Sequence, residues 1–146
     1  VRLNADGAVL QRQIDVTLDP RVQISAEDLQ LQTDYSMACY KGYLRLQTLR
    51  DSIDAQLKEN LVNPELRDRL NTLRGTGKPS GGDILYGSIY DTPAERENIV
   101  ALQEKFLYLL HLLQTADMRP TPQAMEGVHK LYESMSALGK KYAAMR

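Results

Sequence analysis

The feature that most constrains the fold is a run of apolar side chains at helical spacing between Tyr35 and Leu57. Steps of three and four residues place such side chains on one face of an α-helix. Upstream, Ser25 is a favourable N-cap, and Glu27 and Asp28 suit the positive end of the helix dipole. The pattern predicts one helix from Ser25 to about residue 59, roughly 50 Å long. Its predicted stripe is Tyr35, Cys39, Tyr43 or Gly42, Leu46, Leu49, Ile53 and Leu57.

Three further helices are predicted from proline-containing starts. Asn63-Pro64 begins a short helix that ends at Gly75, because asparagine caps a helix and glycine often follows its last residue. A capping box at residues 92–95 begins a third helix, which ends near Ala116, and Thr121-Pro122 begins the fourth. Their stripes are Leu66, Leu70 and Leu73; then Ile99, Leu102, Phe106, Leu109 and Leu113, widened by Val100, Leu110 and Leu112; then Met125, Val128, Tyr132, Met135, Leu138 and Tyr142.

The first 20 residues have strand character. Asp6-Gly7 is a strong hairpin signal, because a type I′ turn needs positive φ at both central positions. A hairpin centred there pairs Ala5 with Ala8 and Leu3 with Leu10. An isolated two-stranded hairpin is marginally stable in water, so this one needs a partner.

The most apolar part of the second strand extends past the end of the first. Its side chains Ile14, Val16 and Leu18 share one face. We therefore predict an interface here, covered by the helices or by a second copy of the strand. The simplest explanation is that residues 1–22 are the last hairpin of an upstream β-sandwich and that residues 23–146 form a helical bundle.

The predicted fold class is therefore mainly α: an up-down bundle of three long helices and one short helix, with a small N-terminal β-hairpin. The glycine-rich stretch 75–91 carries an apolar patch that includes Tyr86 and Tyr90. Because the short helix covers only about a third of the first helix, we expect this stretch to run along the remaining face. Tyr86 and Tyr90 are accordingly further interface candidates.

Composition excludes several classes of function. The 146 residues carry a net charge of −1 with both signs mixed, whereas a nucleic-acid binder would usually show a basic stripe. A single cysteine, Cys39, excludes an intrachain disulfide, and its position on the first stripe indicates a buried structural thiol. No apolar run is long enough to predict a membrane-spanning helix.

Glu126-x-x-His129 is the pattern closest to catalytic or metal chemistry. Di-metal carboxylate bundles carry such a pair on each of two helices, together with a glutamate from each of two others. This chain has one pair, and the inward stripes of the first and third helices contain no glutamate. We therefore predict no metal, no cofactor and no catalytic residue, with Glu126 and His129 as the metal candidates if one binds.

The aromatic composition points towards an interface. Eight tyrosines accompany one phenylalanine and no tryptophan, and tyrosine suits half-buried rims and contact surfaces. A non-catalytic interaction domain is the preferred hypothesis, acting in domain docking or self-association. The alternatives are a metal-binding bundle using Glu126 and His129, and a carbohydrate-binding module using exposed tyrosines. The last is disfavoured by the absence of tryptophan, the usual stacking platform.

The stretches that carry a family resemblance are residues 1–3, Asp6-Gly7, 15–22, 25–29, 113–117 and 120–123. Together they resemble the C-terminal tail of bacterial sortilin-type β-propeller proteins, also called BNR-repeat proteins and often labelled glycosyl hydrolases. In that family a propeller is followed by a small immunoglobulin-like or fibronectin-like module, whose last strand leads into a helical tail.

The resemblance implies an exported protein, periplasmic or extracellular, in which the tail contacts the upstream β-module or propeller of the same chain. Any carbohydrate-related active site would lie in the propeller, so no catalytic residue carries over to this sequence. The hydrolase label itself rests on fold analogy, and a fold does not fix a function.

Overall fold

The computed structural model describes residues 2–5, 8–15, 17, 19–59, 63–77 and 97–145. Its elements are β1 (Arg2–Ala5), β2 (Ala8–Gln11), α1 (Ala26–Leu57), α2 (Pro64–Arg74), α3 (Ile99–Gln114) and α4 (Pro122–Ala143). The predicted fold class, a mainly α bundle with a small N-terminal hairpin, is confirmed. No helix in the described ranges is both long enough and apolar enough to cross a membrane.

Three helices begin at the residues that the sequence indicated. The side chains of Ser25, Asn63 and Thr121 accept hydrogen bonds from backbone amides in the first turns of α1, α2 and α4, at 3.0, 2.8 and 3.2 Å. Each cap satisfies an amide that has no partner within its own helix. At the other end of α2, Gly75 adopts a φ of 81°, a conformation that favours glycine.

Helix α3 begins later than predicted. Asn98 has an extended backbone, and its side-chain oxygen accepts from the amide of Ala101 at 2.9 Å, so the helix begins at Ile99. An unbroken helix from the capping box is therefore wrong, although residues 92–95 themselves lie outside the described residues. The helix ends at Gln114, where the side-chain amide of Gln32 donates to carbonyls in the last turn and beyond it.

The β-hairpin has the predicted register, with Leu3 opposite Leu10 and Ala5 opposite Ala8. Strand β2 nevertheless ends at Gln11, and residues 12–15 are not in a strand. The prediction of continuous strand character to residue 20 was wrong, because β1 offers no partner beyond Arg2. The candidates Val16 and Leu18 lie outside the described residues.

Helices α2 and α3 share one column of the bundle. Both run antiparallel to α1, because later residues of each helix contact earlier residues of α1. In α2, Arg67 donates to the Leu57 carbonyl and Arg74 pairs with Asp54. In α3, Gln103 donates to Gln47 and the Leu113 carbonyl accepts from Gln32. The C-terminal end of α2 meets the N-terminal end of α3, since a Cβ on Gly75 would lie 2.3 Å from the Asn98 side-chain oxygen. The described part of the bundle therefore has three columns: α1, α2 followed by α3, and α4.

The predicted path of residues 75–91 lies largely outside the described residues. They were predicted to cover the part of α1 that the short helix leaves bare, and α3 contacts that part of α1 at Gln32 and Gln47. Residues 78–96, which include the candidates Tyr86 and Tyr90, lie outside the described residues.

Helix α4 lies parallel to α1 and is joined to it by tyrosines. The Tyr132 hydroxyl donates to the Ala38 carbonyl at 2.8 Å, and the Tyr142 hydroxyl donates to the side chain of Gln56 at 3.3 Å. Tyr132 also packs edge-to-face against Phe106 of α3, with ring centroids 5.5 Å apart. These tyrosines therefore serve the internal packing of the bundle.

The core contains apolar and polar side chains. On α1, the stripe residues Cys39, Leu46 and Ile53 are fully buried as predicted. Sequence periodicity did not reveal the buried polar side chains on the same helix, which are Gln32, Ser36 and Arg50. Two of these three bond to backbone carbonyls, Gln32 to Leu113 and Ala116, and Arg50 to Gly77 at 2.6 Å. Such bonds offset the cost of burying polar groups.

Candidate interaction surfaces

The N-terminal hairpin presents apolar side chains to solvent on both of its faces. Val9 and Leu10 are neighbours on β2 and therefore point to opposite faces, yet they are 54% and 63% exposed. Ile14, an interface candidate from the sequence, is 60% exposed. We call Val9, Leu10 and Ile14 the hairpin surface. Within this chain the helices do not cover it.

A second exposed apolar surface lies on α1. Met37, Tyr40 and Leu44 are 44%, 45% and 42% exposed, and their spacing of three and four residues places them on one face. We call these three residues the α1 stripe. The sequence analysis missed it, because it assigned the buried stripe of α1 and left the remaining apolar residues unexplained. Two further apolar side chains, Leu107 and Leu110, lie on α3; they are partly buried and do not belong to the α1 stripe.

The end of α3 and the turn that follows it expose further apolar side chains. Leu112 and Met118 are 48% and 55% exposed and line a shallow cleft of about 200 Å³. The prediction that Leu112 widens the buried stripe of α3 was therefore wrong: it lies one position, about 100° of helical rotation, from the buried Leu113. An ion pair between Arg119 and Asp28 joins this turn to the start of α1.

The structure places the metal candidates in separate interactions. Glu126 pairs with Lys130 at 2.7 Å, and this hydrogen-bonded ammonium lowers the pKa of the Glu126 carboxyl. The Nε2 atom of His129 lies 3.2 Å from the Tyr35 hydroxyl, and the two rings pack edge-to-face. Over the described ranges, no group of three or more His, Cys, Asp or Glu side chains could hold a metal ion.

Cys39 lies at the centre of the core, with no exposed surface. Burial raises the pKa of its thiol to about 12, because an apolar environment disfavours the thiolate. The thiolate is the reactive form, so Cys39 has the properties of an inert structural thiol.

Thiol labelling tests this assignment. We expect the native protein at pH 8 to react with a disulfide reagent at least roughly 100-fold more slowly than the unfolded chain, since the reaction must wait for the core to open. In guanidinium chloride the same reagent should modify one thiol per chain, which serves as the internal standard. Equal rates in the two conditions would show that Cys39 is accessible.

Comparison with known proteins identified no relative of this chain. No protein-family model matches the chain, and no curated protein or solved structure matches it.

Proposed function

We propose that this chain is a non-catalytic interaction domain that docks onto a β-sheet module through its N-terminal hairpin. The observation that carries the proposal is the exposure of Val9 and Leu10 on opposite faces of β2. A two-stranded hairpin without a packed face is marginally stable, and burial of each large apolar side chain contributes about 1.5–3 kcal/mol. A partner sheet that covers this hairpin therefore gains much of its binding energy from these side chains.

The protein context that we propose is a larger, exported protein of the sortilin-type β-propeller kind. The order of elements supports it, because a hairpin precedes a helical bundle, as the family resemblance implies. In this context the upstream β-module is the partner that receives the hairpin. Any activity on carbohydrate belongs to the propeller, and the bundle supports the assembly without performing chemistry.

The carbohydrate-binding and metal-binding alternatives have less support from the described residues. The hydroxyls of Tyr132 and Tyr142 are engaged between helices, and the Tyr35 hydroxyl lies against His129. Tyr40 is 45% exposed, but a single such ring on a convex helix forms no cleft for a sugar. Glu126 has Lys130 as its partner on the helix surface.

Hydrogen exchange measured by mass spectrometry tests the proposal. The isolated chain and the full-length gene product would be compared. We expect the amides of Ala8–Gln11 to exchange close to their intrinsic rates in the isolated chain and to be strongly protected in the full-length product. Amides around Phe106 in α3 are the control and should be protected equally in both. Equal exchange of the β2 amides in the two samples would contradict docking of the hairpin.

A further inference from the structure

The α1 stripe is self-complementary under a two-fold rotation. We pair α1 antiparallel with α1 of a second copy, in the register in which the numbers of two facing residues add to 81. Met37 then lies opposite Leu44 of the other copy, and Tyr40 lies opposite Lys41. Met37 and Leu44 of the two copies then cover one another, while each Tyr40 lies opposite a lysine. A two-fold interface requires such self-complementarity, because the same surface is used on both subunits.

The polar residues that flank the stripe follow the same symmetry. At one end the Gln30 amide donates to Asp34 at 2.8 Å, and at the other end the Gln47 amide donates to Asp51 at 2.8 Å. In the antiparallel register, Gln30 lies opposite Asp51, and Asp34 lies opposite Gln47. Each of these two acids therefore meets an amide that can donate to it. Further out, Glu27 lies opposite Asp54, whose carboxylate is already paired with Arg74 of its own chain.

We propose that two copies of this chain associate through α1, antiparallel, about a two-fold axis between Tyr40 and Lys41. The inference goes beyond the proposed function and does not depend on it, because the hairpin surface takes no part. Contact through one helix pair is small, so the dimer is a weak one. The two Lys41 ammonium groups lie near the axis on the same face of the helix pair and repel each other, which weakens the dimer further.

Sedimentation equilibrium from about 10 µM to about 1 mM tests the association, a range suited to weak interfaces. The natural chain should approach twice the mass of one chain, whereas Leu44→Lys should remain monomeric, because a lysine would lie opposite Met37. Leu112→Lys is the matched control: Leu112 is similarly exposed but lies on α3, outside the stripe, and this variant should still dimerise. Lys41→Gln should tighten the dimer about two- to fivefold, since it removes the repulsion.

The result that overturns the proposal is a natural chain that stays monomeric throughout, or a dimer that survives Leu44→Lys but is lost in Leu10→Lys. The second outcome would assign association to the hairpin surface. Exchange of the β2 amides remains a separate readout of hairpin docking, so the two proposals can fail independently.

Spin labels test the direction of the helices independently of the mass. Labels on Lys41→Cys should lie within roughly 20 Å of each other, because position 41 is next to the axis. Position 55 of one copy lies opposite position 26 of the other, so the two labels on Ala55→Cys are separated by the length of helix between positions 26 and 55. This length is 29 residues, about 43 Å along the helix axis. Buried Cys39 should not be labelled. Short distances at both positions would indicate a parallel pair and overturn the proposed register.

Discussion

Replacement of Gly42 by alanine should destabilise the bundle by about 1–3 kcal/mol, the usual cost of an extra methyl group in a packed core. A Cβ on Gly42 would lie 2.4 Å from the fully buried ring of Phe106. The ring also packs against Tyr132, so it cannot move without disturbing the contact with α4. This cost exceeds the roughly 1 kcal/mol that alanine gains over glycine in a helix interior.

Gly139→Ala is the matched control. Gly139 is also inside a helix, but no atom lies within 4 Å of the position that its Cβ would take. Here the helix propensity acts alone, and the variant should be more stable by about 0.5–1 kcal/mol. Urea denaturation followed by circular dichroism gives both values. If both variants became more stable, the close packing of Phe106 on α1 would be wrong.

The second large effect is expected at Gly75, where α2 meets α3. Alanine would have to adopt a φ of 81°, and its Cβ would lie 2.3 Å from the Asn98 side-chain oxygen. That oxygen caps α3 by accepting from the Ala101 amide. The backbone of Gly75, with φ 81° and ψ 168°, lies in a region essentially restricted to glycine, which costs other residues about 1–3 kcal/mol. Loss of the cap adds about 0.5–2 kcal/mol, so Gly75→Ala should lower the free energy of unfolding by about 1.5–5 kcal/mol.

Gly77→Ala separates these two costs. Gly77 has a φ of 82° and no atom within 4 Å of its would-be Cβ, so its replacement should cost only the backbone part, about 1–2 kcal/mol. A double variant, Gly75→Ala with Asn98→Ala, should be less destabilised than the sum of its single variants, because the clashing oxygen is gone. Strict additivity, measured by urea denaturation, would show that Gly75 and Asn98 do not interact.

Local signals predicted much of this fold. Ser25, Asn63 and Thr121 could be assigned as caps because a cap needs only a side-chain oxygen placed just before a helix. Asp6-Gly7 predicted the hairpin register for a similar reason, since the geometry of a two-residue turn fixes the pairing of its strands. These features depend on neighbours in sequence.

Features that depend on packing between distant residues could not be predicted. Gln32 is buried where its side-chain amide donates to the carbonyls of Leu113 in α3 and Ala116 just beyond it, more than 80 residues away in sequence. Gly42 is needed because Phe106 packs directly on the α1 backbone. The α1 stripe was missed for a related reason: periodicity shows that Met37 and Leu44 share a face, but only the packed bundle shows that this face is exposed. The sequence did indicate one residue of the hairpin surface, Ile14, because this position lies beyond the last residue of β2 that pairs with β1.

The end-to-end meeting of α2 and α3 has a consequence for how this architecture can diverge. Gly75 and Asn98 are in contact, so the end of α2 and the start of α3 can meet in the same way whatever number of residues connects them. The entropic cost of closing that connection rises by only about 0.6 kcal/mol for each doubling of its length. Relatives could therefore shorten, lengthen or replace residues 78–96 while keeping the same three columns. Insertions at this junction should therefore leave the packing of the core unchanged.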